Sequence, residues 1–254
     1  MNTLTICRKE LQSYFRSPIA YTVIALWALI GGFFFYFGLS FFVQRSMESA
    51  MTGQAFPMNV NEWIVRPLLS NVNVVALFLI PMITMRLFAE EKRSGTIELL
   101  MTSPIRDVEI VLGKWLAAVA LYSIMLVVSL LHMSILFRYG QPDWKPLAVG
   151  YLGLLLQGGC LLAIGTFVST LTNNQIVAGA IGFAISLLLF VLNWVSEFGS
   201  SVTERVIGYL SVQSHFESFS KGVIDSKDLV FYATMTILGL FLTSRSLESV
   251  RWRA

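Results

Sequence analysis

The sequence predicts an all-α membrane protein: six transmembrane helices preceded by an N-terminal amphipathic interfacial helix, in a single domain over residues 1–254. Three observations carry this. Of 254 residues, 56% are hydrophobic and 13% charged, with a mean hydropathy of +0.70. A soluble domain carries about 25% charge, and half of that cannot coat a water-facing surface. The apolar residues fall in runs that reach the roughly 20 residues a helix needs to cross about 30 Å of hydrocarbon. The charges collect between those runs, most densely in the break from Ala89 to Pro104. The net charge of +3 is spread as flanks and forms no patch for nucleic acid. Cys7 and Cys160 imply no disulfide framework.

Residues 1–17 read as the interfacial helix. Leu4, Cys7, Leu11, Tyr14 and Phe15 recur at spacings of three and four, with Arg8, Lys9, Gln12 and Arg16 opposite. Pro18 suits the first turn of the next helix. The spans fall at 19–43, 68–88, 108–137, 147–170, 176–195 and 226–244. The charge-free run from Ser17 to Gln44 exceeds the roughly 7–15 residues of a signal core, so the first span is retained. Residues 44–67 form a mixed loop in which Trp63 and Arg66 serve as interface anchors. Pro81 lies inside the second span, where it removes a backbone hydrogen bond. Pro146 to Ser196 carries no charge and is too long for one crossing; Thr172-Asn173-Asn174-Gln175 splits it.

Residues 196–225 read as an external loop with short surface helices. Two capping boxes mark their starts, Ser201-x-x-Glu204 and Ser214-x-x-Glu217. Their apolar faces are Val202, Val206, Tyr209 and Leu210, then Phe216, Phe219 and Val223. Asp225 caps the last span, which closes at Arg245. Eleven of eighteen Lys and Arg sit at the termini and the central loop: Arg8, Lys9, Arg16, Arg86, Lys92, Arg93, Arg106, Lys114, Arg245, Arg251 and Arg253. The positive-inside rule then places both termini and the loop 89–107 in the cytoplasm.

Absences narrow the function. Ion-coupled carriers keep acidic groups in mid-membrane, and the charge-free stretches hold none. His132 is read as a packing or interhelical hydrogen-bonding group, and His215 as a solvated or capping one. With no acidic partner for His132, an intramembrane hydrolase is excluded. Val108 stands where a phosphate-cradling loop ending at Gly113-Lys114 needs glycine, so the chain has no nucleotide loop of its own. It reads as no enzyme. Gly159-x-x-x-Ala163, Gly165-x-x-x-Ser169 and Ala178-x-x-x-Gly182 predict close helix packing. Gln157 and Asn193 line a path or bond between helices.

The break at 89–107 reads as helix, turn, helix. Glu90 pairs with Arg93 at i,i+3, and Gly95 ends the first turn. Thr96 caps a short helix with Ile97, Leu100 and Met101 on one face. Ser103 caps the third span, with Pro104 at its first position. Such a unit fits a groove on a soluble protein or is an ordinary interfacial loop.

Glu90-Glu91-Lys92-Arg93-x-Gly95-Thr96-Ile97-Glu98-Leu99-Leu100-x-Thr102-x-Pro104, followed by Ile110-Val111-Leu112-Gly113-Lys114, resembles the signature of ABC type-2 permeases. Arg8-Lys9-Glu10-Leu11-x-x-Tyr14-Phe15 resembles their interfacial helix, and Leu171-Thr172-x-Asn174-Gln175 their inner turn. Ser214-His215-Phe216-Glu217-x-Phe219-x-Lys221-Gly222-Val223-Ile224-Asp225 and Leu247-Glu248-Ser249-x-Arg251-Trp252 resemble the GldF-like branch. The resemblance implies a permease subunit, exporter or mechanotransmitter, in a bacterial inner membrane. Its coupling helix would dock on a separate ABC ATPase that binds ATP and Mg, leaving no cofactor in this chain. It would pair with itself or with a GldG-like permease carrying an external domain. The residues it assigns to coupling are Glu90, Glu91, Arg93, Gly95, Thr96, Ile97, Glu98, Leu100, Met101 and Pro104. Arg8, Lys9, Leu11, Tyr14 and Phe15 belong to the interfacial helix. On the residues alone, a self-sufficient channel or carrier and a membrane anchor recruiting a soluble protein remain alternatives.

Overall fold

A computed structural model describes residues 2–53, 59–102, 104–197 and 202–251. Among these the chain is all helix: α1 (Asn2–Arg16), α2 (Pro18–Thr52), a π-helical turn (Asn61–Val65), α3 (Arg66–Thr84), α4 (Ala89–Ser94), α5 (Thr96–Thr102), α6 (Asp107–Tyr139), α7 (Trp144–Leu171), α8 (Gln175–Glu197), α9 (Val202–Tyr209), α10 (Val212–Ser220) and α11 (Ser226–Arg251). Six stretches are long and apolar enough to span a membrane.

The glycine-rich α7 is the central post. It packs against α3, α6, α8, α10 and α11. A Cβ on Gly165 would sit 2.4 Å from Thr84 Oγ1 of α3, and one on Gly239 of α11 would sit 3.0 Å from the backbone of Ala163. Without a hydrophobic force between helices in lipid, such close approach is the main source of contact energy.

Several boundaries differ from the expected ones. α2 runs to Thr52 instead of stopping at 43. Its last turns are polar yet remain helical, supported by Gln44 and Arg45 bonding Glu48 at 3.4 Å each. At 1.5 Å per residue α2 is about 52 Å long, so it outruns the hydrocarbon. α3 stops at Thr84 instead of 88, because the amides of Phe88 and Ala89 bond a hydroxyl of α7. α6 starts at Asp107, so Pro104 is not its first residue; the Arg106 amide donates to Glu109 Oε2 at 3.2 Å. α11 continues past Arg245 to Arg251. Ile6, not Leu4, is buried in α1; Leu4 is exposed. Ser103, Ser201, Trp252 and Arg253 lie outside the described residues.

The largest correction concerns residues 211–232. Ser211, not Ser214, caps α10, accepting from the Ser214 amide at 3.4 Å. The Ser214 hydroxyl donates instead to Gly208 O at 3.0 Å. α10 is no rim helix: Val212, His215, Phe216 and Phe219 are buried, while Val223 beyond it is exposed. Asn73 of α3, itself buried, donates to Gln213 at 2.7 Å and ties α10 into the bundle. His215 is not solvated. It is buried with Nδ1 2.6 Å from Asp228 Oδ1 and Nε2 2.9 Å from Tyr209 O, its ring stacked on Phe231. α9 does present an exposed face, with Val206 and Tyr209, continued by Leu210 just beyond it. Asp225 caps α11 as expected: its Oδ1 accepts from the Lys227 amide at 3.1 Å. His132 packs on Phe35 and over Gly32, as a space-filling residue does.

Candidate functional site

The densest polar network described lies at the end of the bundle where α3 gives way to α4. Residues 85–88 leave the helix, and one hydroxyl repairs the break. Ser169 Oγ of α7 accepts from the amides of Phe88 at 3.0 Å and Ala89 at 3.1 Å. A buried amide left without a partner would cost about 1–3 kcal/mol, so this hydroxyl fixes the joint to α7. Lys92 of α4 adds a bond from its Nζ to the Thr170 carbonyl. Thr170 in turn bonds Ser246 of α11 at 2.8 Å.

Gly95 ends α4 with φ 72°, and nothing lies within 4 Å of where a Cβ would stand. The glycine is there for its left-handed backbone, a conformation that costs other residues about 1–2 kcal/mol. α5 follows immediately. Thr96 bonds back to Ser94 Oγ at 2.9 Å, closing the α4–α5 corner.

Lys114 is the centre of the network. It sits two turns into α6, its side chain only 2% exposed. Its Nζ reaches Glu10 of α1 at 3.0 Å and Glu91 of α4 at 2.8 Å, and it lies over the Phe88 ring. A lone ammonium buried at the rim of a membrane span is costly unless paired. Two carboxylates from two other elements pair it here, so one side chain joins three helices. A parallel clasp lies beside it. Arg86 grips Glu90 through two bonds, at 2.6 and 3.1 Å, and donates to Ser17 Oγ, the cap of α2, at 3.0 Å. Tyr14 of α1 donates to the Ile83 carbonyl at 2.9 Å. Burial first, then the Glu10 carboxylate, holds this phenol well above its usual range, so it remains a donor. α1 lies close on α6 because residue 113 is glycine: a Cβ there would meet Ile6 Cγ2 at 2.7 Å and Thr3 O at 2.9 Å.

The residues singled out for coupling therefore divide. Glu90 pairs with Arg86, not with Arg93. Glu91 turns inward to Lys114. Ile97 is buried and Leu100 half-buried against the chain's own core, so the apolar face expected to meet a partner packs inward. The Met101 side chain lies outside the described residues. Arg93, Gly95, Thr96, Glu98 and Pro104 are exposed, and so is Leu99, at 73%. Leu99 was not singled out by periodicity. Beside this ridge an open polar cavity of about 770 Å³ lies between Arg93 and the α7–α8 turn at Thr172–Asn174. On α1, Arg8 and Lys9 are exposed, Tyr14 is buried, and Leu11 and Phe15 pack on the core. The role of Lys114 was not foreseen, although it is the one charge in the apolar run from Ile110 to Phe137.

Six spans, with a braced corner between the second and third, define a multi-pass helical membrane protein. The profile of the ABC-2 family transporter proteins matches residues 4–244, and the chain belongs to that family. Membership makes it a membrane permease component of an ABC transporter and implies an ABC ATPase partner within a lipid setting. No curated protein matches the chain.

Proposed function

We propose that this chain is the membrane-spanning subunit of an ATP-driven exporter or mechanotransmitter, and that α4–α5 docks on a separate ATPase. ATP and Mg would be bound by that ATPase alone. Both termini and the α4–α5 corner would face the cytoplasm of a bacterial inner membrane, as the Lys and Arg distribution supports. The second permease half would be a copy of this chain or a GldG-like partner. The single observation that carries the reading is the Lys114 clasp. A push on the exposed ridge from Arg93 to Leu99 meets α4, and Lys114 hands it to α1 and α6 together. Without the clasp, α5 would yield at its own turns.

The test is co-expression with a candidate ABC ATPase, reading complex formation and ATP turnover. Glu98→Arg and Leu99→Asp alter exposed side chains and leave the clasp intact. Both variants are expected to insert normally and to lose complex formation by roughly tenfold or more, the size of about 1.4 kcal/mol at an interface anchor. Docking unchanged in both would refute the assignment of this ridge.

A further inference from the structure

At the end of the bundle opposite α4–α5 lies a partly open apolar cavity of about 300 Å³. α2 contributes Phe35, Leu39 and Val43 to its wall, the π-helical turn contributes Ile64, and α6 contributes Ile135 and Leu136. Phe35, Ile64 and Leu136 are buried and form the floor; Val43 and Ile135 are exposed and form the rim. Nearly all of the lining surface is carbon. The π-helical turn forms one wall, tied to α2 by the stack of Trp63 on Phe41.

We propose that this cavity holds the acyl chain of a membrane lipid. The size fits: a chain carbon is about as large as a water molecule, whose share of liquid volume is about 30 Å³, so the space takes on the order of ten. The chemistry fits, since a carbon-lined space gives water no partners and stays dry. The level also fits. Tyr139 at the rim and the neighbouring Trp63 and Trp144 are the residue types that gather where hydrocarbon meets headgroups. One turn of a helix from another chain, about 10–12 Å across and about 5.4 Å tall, fills roughly 400–600 Å³ and exceeds the cavity. Lipid tails are as apolar as leucine, so the hydrophobic effect does not draw the chain in from the bilayer. Filling the void does, by giving its wall atoms contacts they otherwise lack. The proposal rests on the membrane fold and is independent of how α4–α5 docks.

The floor supplies a discriminating readout, because bulk lipid cannot touch buried residues. The purified full chain is reconstituted in phosphatidylcholine vesicles containing a phosphatidylcholine with a mid-chain diazirine, irradiated, and its adducts are mapped by peptide mass spectrometry. Adducts are expected on Phe35, Ile64 and Leu136 as well as on Val230 and Ile237, which lie on the exposed face of α11. Val43→Trp and Ile135→Trp each place an indole in the mouth without touching the floor. Forcing a chain past it costs what overpacking costs, so floor labelling should fall roughly tenfold, while labelling of α11 stays constant. Floor residues left unlabelled in the wild type, or labelled equally in both variants, would overturn the proposal. So would high-yield disulfide formation between two Val43→Cys copies, which would put a second chain at the mouth.

Discussion

Lys114→Met keeps an unbranched side chain only one atom shorter and removes its charge. Two carboxylates then remain at the α1–α4–α6 junction, Glu10 at 15% and Glu91 at 17% exposure, with no cation between them. Removing one partner of a buried ion pair costs about 3–5 kcal/mol. Residual water at both carboxylates favours the lower end, about 3 kcal/mol. On the scale of domains this size, that lowers the midpoint of thermal unfolding by about 6–12 °C. The assay is thermal unfolding in detergent, followed by a thiol dye at buried Cys160, together with ATP turnover of the ATPase complex. A triple variant, Lys114→Met with Glu10→Gln and Glu91→Gln, leaves no buried charge at this junction. It is expected to recover most of the stability while still failing to couple turnover, because nothing ties the three helices. A single variant within about 1 kcal/mol of wild type, well under that penalty, would refute the clasp. Restored coupling in the triple variant would refute transmission through it.

Three further outcomes are expected. Gly113→Ala drives a Cβ into Ile6 and the Thr3 carbonyl, so α1 should lift from α6. Burial and then Glu10 raise the Cys7 thiol above its usual range, which slows its reaction at neutral pH, so freeing α1 should speed maleimide labelling of Cys7; an unchanged rate would contradict the packing. Gly95→Ala should cost about 1–2 kcal/mol of stability and weaken docking, whereas Gly95→Asn, which tolerates positive φ, should lose less; equal loss in thermal unfolding would argue against a backbone cause. His215→Asn and Asp228→Asn should each destabilise by about 1–3 kcal/mol, the cost of leaving a buried polar group without its partner, and be non-additive, with a coupling above about 1 kcal/mol in a double-mutant cycle; simple additivity would deny the pair.

Spans were legible because the bilayer imposes one length on every crossing, and hydropathy reports it directly. Ends were less legible, since polarity and helicity part company outside the hydrocarbon. Gln44, Arg45 and Glu48 look like a loop by composition, yet their own side-chain bonds keep α2 helical. Ser211 and Ser214 are equivalent as candidate caps by type; the choice falls to Ser211 because Ser214 is occupied with Gly208 O. Gly95 could be read from its place after a charged turn. Lys114 could not be read as a clasp, because its partners lie 104 and 23 residues away and only the folding of α1 back onto α6 brings them in reach. Burial of His215 likewise depends on Asp228, on the next helix.

The unbroken course of α11 to Arg251 matters for anyone building reporters on this protein. The bond that Thr170 donates to Ser246 sets this part of α11 near the same polar hollow that borders the α4–α5 ridge. With docking on α4–α5 as proposed, a fluorescent protein or bulky affinity handle fused after α11 would crowd an arriving ATPase. Labels meant to report assembly without obstructing it belong on the opposite side of the bilayer, near the end of α2.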